Sequence, residues 1–248
     1  MRSPCDGSRP DGHTKRQIGH RRRQYKSGKF RRILMKEADL IIFDLDGTLV
    51  DSRKDIANAV NFTLRKLSLK EKSLEEITSY IGRGVSDLIQ KSLEKKNHVH
   101  LEKALSIFEK YYKEHSSDES ILYPGVKEVL EYFKDKKKAI VTNRNYEFAV
   151  ITLKALGIYD FFSSITGGDD IGCAKPNSCP LDKAIYHLAI NKDRSIIVGD
   201  MDIDVLAGKA SGIATCAVTY GIGKKEDIEK TKPDYIIDNI SELKKIIK

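Results

Sequence analysis

Leu40-Ile41-Ile42-Phe43 is an unbroken apolar run that leads straight into Asp44-Leu45-Asp46-Gly47-Thr48. A short run with no polar alternation reads as a strand buried on both faces, and the polar string after it is turn chemistry. Such a strand needs cover on both sides, which places it inside a sheet flanked by helices. Similar runs return at Ala139-Ile140-Val141, Ser195-Ile196-Ile197-Val198, Ala214-Thr215-Cys216-Ala217-Val218 and Tyr235-Ile236-Ile237, with a weaker one at Ser163-Ser164-Ile165-Thr166. Between them the spacing turns helical. Val126, Val129, Leu130 and Phe133 share one face after Pro124-Gly125. Phe148, Ile151, Ala155 and Leu156 share another and stop at Gly157, a C-cap residue. Pro180-Leu181 opens a third helix, with Ala184, Ile185 and Leu188 inward. Alternating strands and helices predict the α/β class, a Rossmann-like parallel sheet core.

One stretch breaks the rhythm. Residues 53–119 contain three helical patterns, on Ile56, Val60, Leu64 and Leu67, on Leu88, Ile89 and Leu93, and on Leu101, Leu105, Phe108 and Tyr112, with no strand among them. The expected division is therefore a core of 35–52 and 120–248 with an α-helical cap of 53–119 inserted after strand one. Insertions at strand ends are natural lids over a site.

Charge separates off one more segment. The 248 residues carry a net charge of +8, yet residues 1–34 hold eleven Lys/Arg against two Asp, leaving a nearly neutral globule behind them. Arg21-Arg22-Arg23, scattered Gly and Pro and few large apolar side chains predict a disordered basic tail. It reads as a basic arm for an acidic partner, as an Arg-rich transit peptide, or, preferred, as sequence upstream of a true start at Met35. No apolar run reaches the roughly 18 residues of a membrane span, so no membrane partner is expected. Cys5, Cys173, Cys179 and Cys216 form neither a CxxC pair nor a zinc spacing, and are expected as reduced thiols in a cytoplasmic protein.

In a doubly wound sheet, ligands bind at the carboxyl ends of the strands. Four polar groups fall there. Asp44 and Asp46 leave the first strand two residues apart, so one can attack phosphorus and the other can protonate the leaving oxygen. Gly47 allows a tight turn with amides near phosphate, and Thr48 follows it. Thr142-Asn143 ends the second strand and offers a hydroxyl and an amide to phosphoryl oxygens, although alone it is an ordinary turn pair. Lys175, before Pro176, can neutralise phosphate and a carboxylate. Gly199-Asp200-Met201-Asp202-Ile203-Asp204 puts three acids at a strand end with no cation between them, which suits a divalent ion with oxygen ligands, Mg2+ above all.

Taken together these motifs resemble the haloacid dehalogenase superfamily over about residues 38–240, and its phosphoglycolate phosphatase-like branch in particular. Val50-Asp51-Ser52, Tyr123-Pro124-Gly125-Val126, Gly167-Gly168-Asp169-Asp170 and the helical insert carry that branch resemblance. The resemblance implies Asp44 as nucleophile and metal ligand, and Asp46 as acid/base that also binds the metal through its backbone carbonyl. It implies Asp200 as metal ligand and Asp204 as support for the metal shell or for Lys175. Gly47, Thr48, Thr142, Asn143 and Lys175 would bind phosphate. Arg83, in Ile81-Gly82-Arg83-Gly84-Val85, resembles the cap's substrate-facing loop and could reach a substrate carboxylate. Met201 and Ser178 depart from the common residues at their positions.

The expected activity is a Mg2+-dependent phosphatase acting on a small phosphorylated metabolite, 2-phosphoglycolate or similar, through an aspartyl-phosphate, as a monomer or homodimer. A sugar phosphomutase or an inorganic pyrophosphatase on the same scaffold stays open. Nucleic-acid binding through the basic tail is the minor alternative.

Overall fold

A computed structural model describes residues 35–93, 95–170 and 172–248; the tail expectation for 1–34 lies outside them. The described residues belong to one compact unit. The strands are β1 (Leu40–Phe43), β2 (Val50–Asp51), β3 (Ile121–Leu122), β4 (Lys137–Val141), β5 (Ser164–Thr166), β6 (Ser195–Gly199), β7 (Ala214–Val218) and β8 (Tyr235–Ile237). The α-helices are α1 (Arg53–Lys66), α2 (Leu74–Thr78), α3 (Val85–Leu93), α4 (Leu101–His115), α5 (Val126–Tyr132), α6 (Tyr146–Ala155), α7 (Cys179–His187), α8 (Asp202–Ser211), α9 (Lys225–Thr231) and α10 (Leu243–Ile246).

Six strands form a parallel sheet in the order β5-β4-β1-β6-β7-β8. β1 lies between β4 and β6, with Ile42 opposite Ala139 on one side and Ile197 on the other. All four residues of β1 are fully buried. Alternate side chains go to opposite faces: Ile41 and Phe43 join a core with Ile140, Ile196 and Val198, whereas Leu40 and Ile42 join one with Ala139, Val141 and Ile197. Each such burial contributes about 1.5–3 kcal/mol, and a sheet covered on both faces leaves no position for polar alternation. The apolar runs of the sequence are thus all present as strands of this sheet.

The chain leaves β1, makes the two-residue ribbon β2–β3 as an antiparallel pair, and between those two strands is helical. α1, α3 and α4 pack on one another through Val60, Leu64, Leu88, Ile89, Phe108 and Tyr112. Phe148 of α6 joins the same cluster, so the helical segment seats on the core. From β1 the sheet runs to β4 on one side and, later, to β6 on the other. The carboxyl end of β1 is therefore the topological switch point, where an open parallel sheet forms its crevice.

Candidate active site

At that crevice the ends of β1, β4 and β6 and the loop before α7 deliver their polar side chains to one place. Lys175 Nζ donates to Asp44 Oδ1 at 2.7 Å and to Asp204 Oδ1 at 2.6 Å. Carboxylate oxygens of Asp44, Asp200 and Asp204 all lie within 4.8 Å of one another. Asp44 is 7% exposed, Asp200 is fully buried and Lys175 is 3% exposed.

Burial raises the Asp44 carboxyl to about 8, the charges of Asp204 and Asp200 adding to it and that of Lys175 opposing. Burial and the Asp204 charge raise Asp200 as well, to about 7. Burial also works against the Lys175 ammonium, but Asp204 and Asp44 outweigh it and hold the lysine charged. Three buried carboxylates facing one lysine leave an excess of negative charge, and the surplus is what a divalent cation cancels. The donor set consists of hard oxygens, as Mg2+ requires.

Asp200 is aimed by three donors. Thr48 Oγ1 donates to its Oδ1 at 2.8 Å, and the amides of Ile222 and Gly223 donate to its Oδ2 at 2.7 and 3.1 Å. Gly47 closes the turn with φ +85°, and a Cβ there would stand 2.3 Å from Asp200 Oδ2. Only glycine fits that position, on both counts. Asp204 accepts at both oxygens, Oδ1 from Lys175 and Oδ2 from the amide of Met201 at 3.0 Å, which caps α8. It anchors the lysine while its carboxylate stays grouped with those of Asp44 and Asp200.

Asn143 ties the site together. Its Nδ2 donates to the carbonyls of Gly82 and Lys175, both at 2.9 Å, while its Oδ1 accepts from the Lys175 amide at 2.9 Å. One side chain thus fixes the lysine loop and grips the loop between α2 and α3. Thr142 is buried beside it and accepts from the Arg144 amide at 3.1 Å.

The Asp46 carboxylate is not in the acidic cluster. Ser52 donates to it, and Arg144 embraces it from Nε at 3.0 Å and from Nη2. Arg144 is 5% exposed, and its Nη1 donates to Thr152 Oγ1 at 2.8 Å. Sequence reasoning missed Arg144, although it follows Thr142-Asn143 at the same strand end. It also missed Ile222 and Gly223, whose amides reach Asp200 from a loop with no motif.

Beside Asp44 and Asp46 opens a cavity of about 50 Å3, walled by Ile56, Val85, Leu88 and Tyr112 and by Arg144 at its polar end. A water needs about 10–15 Å3 on this measure, so the space takes roughly four waters or a very small organic group. Gly82 and Gly84 line it too, whereas Arg83 between them is half exposed, 3.9 Å from Asp202. Gly82, at φ +118°, packs against Met201: a Cβ there would lie 2.3 Å from the Met201 sulfur. The methionine that departs from the common residue is thus a contact between the helical segment and the core.

The cysteine expectation needs correcting. Cys173 and Cys179 are joined in a disulfide with Cα atoms 6.4 Å apart, and Cys216 alone of the described cysteines is free. The loop carrying Lys175 turns back on itself before α7, so two cysteines six residues apart meet although they fit no sequence motif.

The family model for haloacid dehalogenase-like hydrolases matches residues 41–218. A phosphoglycolate phosphatase of Aquifex aeolicus is 37% identical over 210 residues, which is 84% of this chain and 96% of the relative. One from Nitrosococcus oceani is 32% identical over 222 residues, 86% of this chain and 98% of its own. The crystal structure of a predicted phosphoglycolate phosphatase from Haemophilus somnus superposes with a TM-score of 0.80 at 31% identity, covering 86% of this chain and 99% of the other. With the four motif groups gathered at one switch point, the chain belongs to the haloacid dehalogenase-like hydrolases.

Proposed function

We propose that the chain is a Mg2+-dependent phosphatase that hydrolyses a small monoester such as 2-phosphoglycolate through an aspartyl-phosphate on Asp44. One observation carries the reading: a buried carboxylate at the end of the central strand is held by a buried lysine inside a cluster of acids, with a second carboxylate, Asp46, lining the same cavity. The relatives named phosphoglycolate phosphatase support the choice of substrate.

In this reading an Asp44 oxygen attacks phosphorus in line with the ester bond. That bond breaks and its electron pair leaves with the alcohol oxygen, to which Asp46 gives a proton. Asp46 then takes a proton from the water that attacks the acyl phosphate, releasing phosphate and restoring Asp44. Lys175 holds Asp44 in place and lays positive charge against the phosphoryl oxygens. Asp44 and Asp200 would hold Mg2+, with the Asp46 carbonyl implied by the family resemblance; the ion supplies charge against the transferring group. Gly47 and Thr48 shape the phosphate turn, Thr142 and Asn143 complete it, and residues 53–119 act as the cap over 35–52 and 120–248. Arg83, flanked by the lining residues Gly82 and Gly84, stands at the cavity entrance.

The test is phosphate release from a panel of phosphorylated metabolites, with and without Mg2+, for the native protein and Asp44→Asn. Release that needs Mg2+ and vanishes in the variant is expected. Release that persists in Asp44→Asn would reject the nucleophile, and isomerised sugar phosphate or a preference for pyrophosphate would reject the phosphatase assignment.

A further inference from the structure

The cavity beside Asp46 has a polar end that the hydrolytic chemistry leaves unused. Tyr112 of α4 lines it and is 1% exposed, yet its hydroxyl has no partner in hydrogen-bond geometry among the described residues. A buried hydroxyl without a partner costs about 1–3 kcal/mol, so its place in a site points to a ligand that supplies the missing acceptor. The ring is fixed on three sides. Phe108 stacks on it at 5.0 Å, Phe148 meets it edge-on at 5.2 Å, and the Arg144 guanidinium lies 5.3 Å from its centroid. Burial pushes the phenol above its ordinary range, with the nearby Arg144 guanidinium opposing and the Asp46 charge adding.

Arg144 is the second unused donor. A guanidinium carries five N–H groups; Asp46 takes two and Thr152 one. Two remain, one on each terminal nitrogen, and Arg144 lines the cavity. Asp44, Asp46, Thr142 and Asn143 line the catalytic side of the cavity, and Ile56, Val85, Leu88 and Phe108 give it an apolar flank. Away from the catalytic side it offers one cation and one hydroxyl donor, which suit an acid.

We propose that Tyr112 and Arg144 form the subsite for the leaving group, and that they select a short phosphoester whose alcohol bears a carboxylate within one or two carbons of the ester oxygen. The proposal rests on the phosphatase reading and adds which residues recognise the acid. Arg83, outside the lining and half exposed, then serves the entrance and not the carboxylate itself.

The experiment compares 2-phosphoglycolate with 2-hydroxyethyl phosphate, which has the same length and a neutral hydroxyl in place of the carboxylate, in the full chain with Mg2+. The readout is the ratio of the two kcat/KM values for the native protein and for Tyr112→Phe, Arg144→Lys and Arg83→Ala. A charge-assisted hydrogen bond to a bound acid is worth about tenfold or more. The native ratio is therefore expected to favour the acid, and to fall by about tenfold in Tyr112→Phe and Arg144→Lys, chiefly through KM. Arg83→Ala should leave the ratio within about twofold. A ratio unchanged in Tyr112→Phe and Arg144→Lys, or lost in Arg83→Ala alone, would overturn the subsite. Reading a ratio removes any general loss from disturbing Asp46, and melting curves check that each variant folds; if Tyr112→Phe does not fold, Arg144→Lys carries the test. Calorimetric binding of free glycolate gives a second reading that needs no turnover. Glycolate bound by the native protein and lost in the variants would uphold the subsite even if hydrolysis failed, whereas no glycolate binding together with an unselective native ratio would reject it.

Discussion

Replacing Gly47 by alanine should cost both stability and activity, for separable reasons. Gly47 sits at φ +85°, where an L side chain is strained by about 1–2 kcal/mol. Its new methyl would stand 2.3 Å from Asp200 Oδ2, whereas ordinary contact begins at 3.4 Å, so the carboxylate must move by about 1 Å. Asp200 cannot yield freely, since Thr48 and the amides of Ile222 and Gly223 hold both its oxygens. Overpacking of this kind costs about 1–3 kcal/mol. The sum is about 2–5 kcal/mol, or about 4–20 °C in Tm for a chain of this size. A misplacement of about 1 Å in the machinery costs about a hundredfold in rate. Gly157→Ala is the control: its φ is +66°, but nothing lies within 4 Å of the added carbon. That variant should lose only the backbone share and keep full activity. Thermal melts and a phosphate-release assay across a Mg2+ titration read both effects. Equal Tm losses in the two variants, with native activity in Gly47→Ala, would refute the packing of Gly47 on Asp200.

Three further outcomes follow from the same geometry. Asp44→Asn removes one of three crowded buried acids, so the metal-free variant is expected to melt at or above the native Tm while losing turnover; a large Tm loss would contradict the electrostatic picture. In the metal-free protein Asp44 and Asp200 rise from 3.8 to about 8 and about 7. Acids with a raised folded-state pKa bind more protons folded than unfolded, so stability falls as pH climbs from about 4 towards 8. Mg2+ cancels that repulsion and should therefore raise Tm more at pH 8 than at pH 6, and equal increments would argue against the cluster as its site. Asn143→Ala removes the clamp between Lys175 and Gly82, and should lower kcat by about tenfold or more while speeding hydrogen exchange in the loop around Gly82; native exchange there would show that the clamp is not what fixes the loop.

The strands and the acidic centre were legible because they are local. A strand buried on both faces must be a continuous apolar run, and residues 40–43 and 195–198 could hardly be anything else. Asp44 and Asp200 are readable because each directly follows such a run, and the sheet order then brings them together. What escaped the sequence is what depends on distant partners. The β2–β3 ribbon is two residues long on each strand, too short for periodicity, and Ile121 within it is exposed. The Ile222 and Gly223 amides act through backbone, which leaves no side-chain signature. Tyr112 reads as one apolar position on a helix face, and nothing in its spacing says that its hydroxyl ends beside Arg144. The disulfide depends on a loop reversal that spacing alone does not encode. Thr48 shows a finer gap: a hydroxyl expected at phosphate is fully buried and donates to Asp200, so its position was legible and its immediate partner was not.

The most direct test of the account is whether phosphorus passes through Asp44. In Asp46→Asn the residue that would activate the hydrolytic water is neutral, so a phosphoryl group transferred to the protein should persist. Intact and peptide mass spectrometry after rapid acid quench, with 2-phosphoglycolate and Mg2+, is expected to find one phosphoryl group on the peptide containing Asp44. Turnover of the ester with no adduct at any time, or an adduct on another residue, would contradict the central claim.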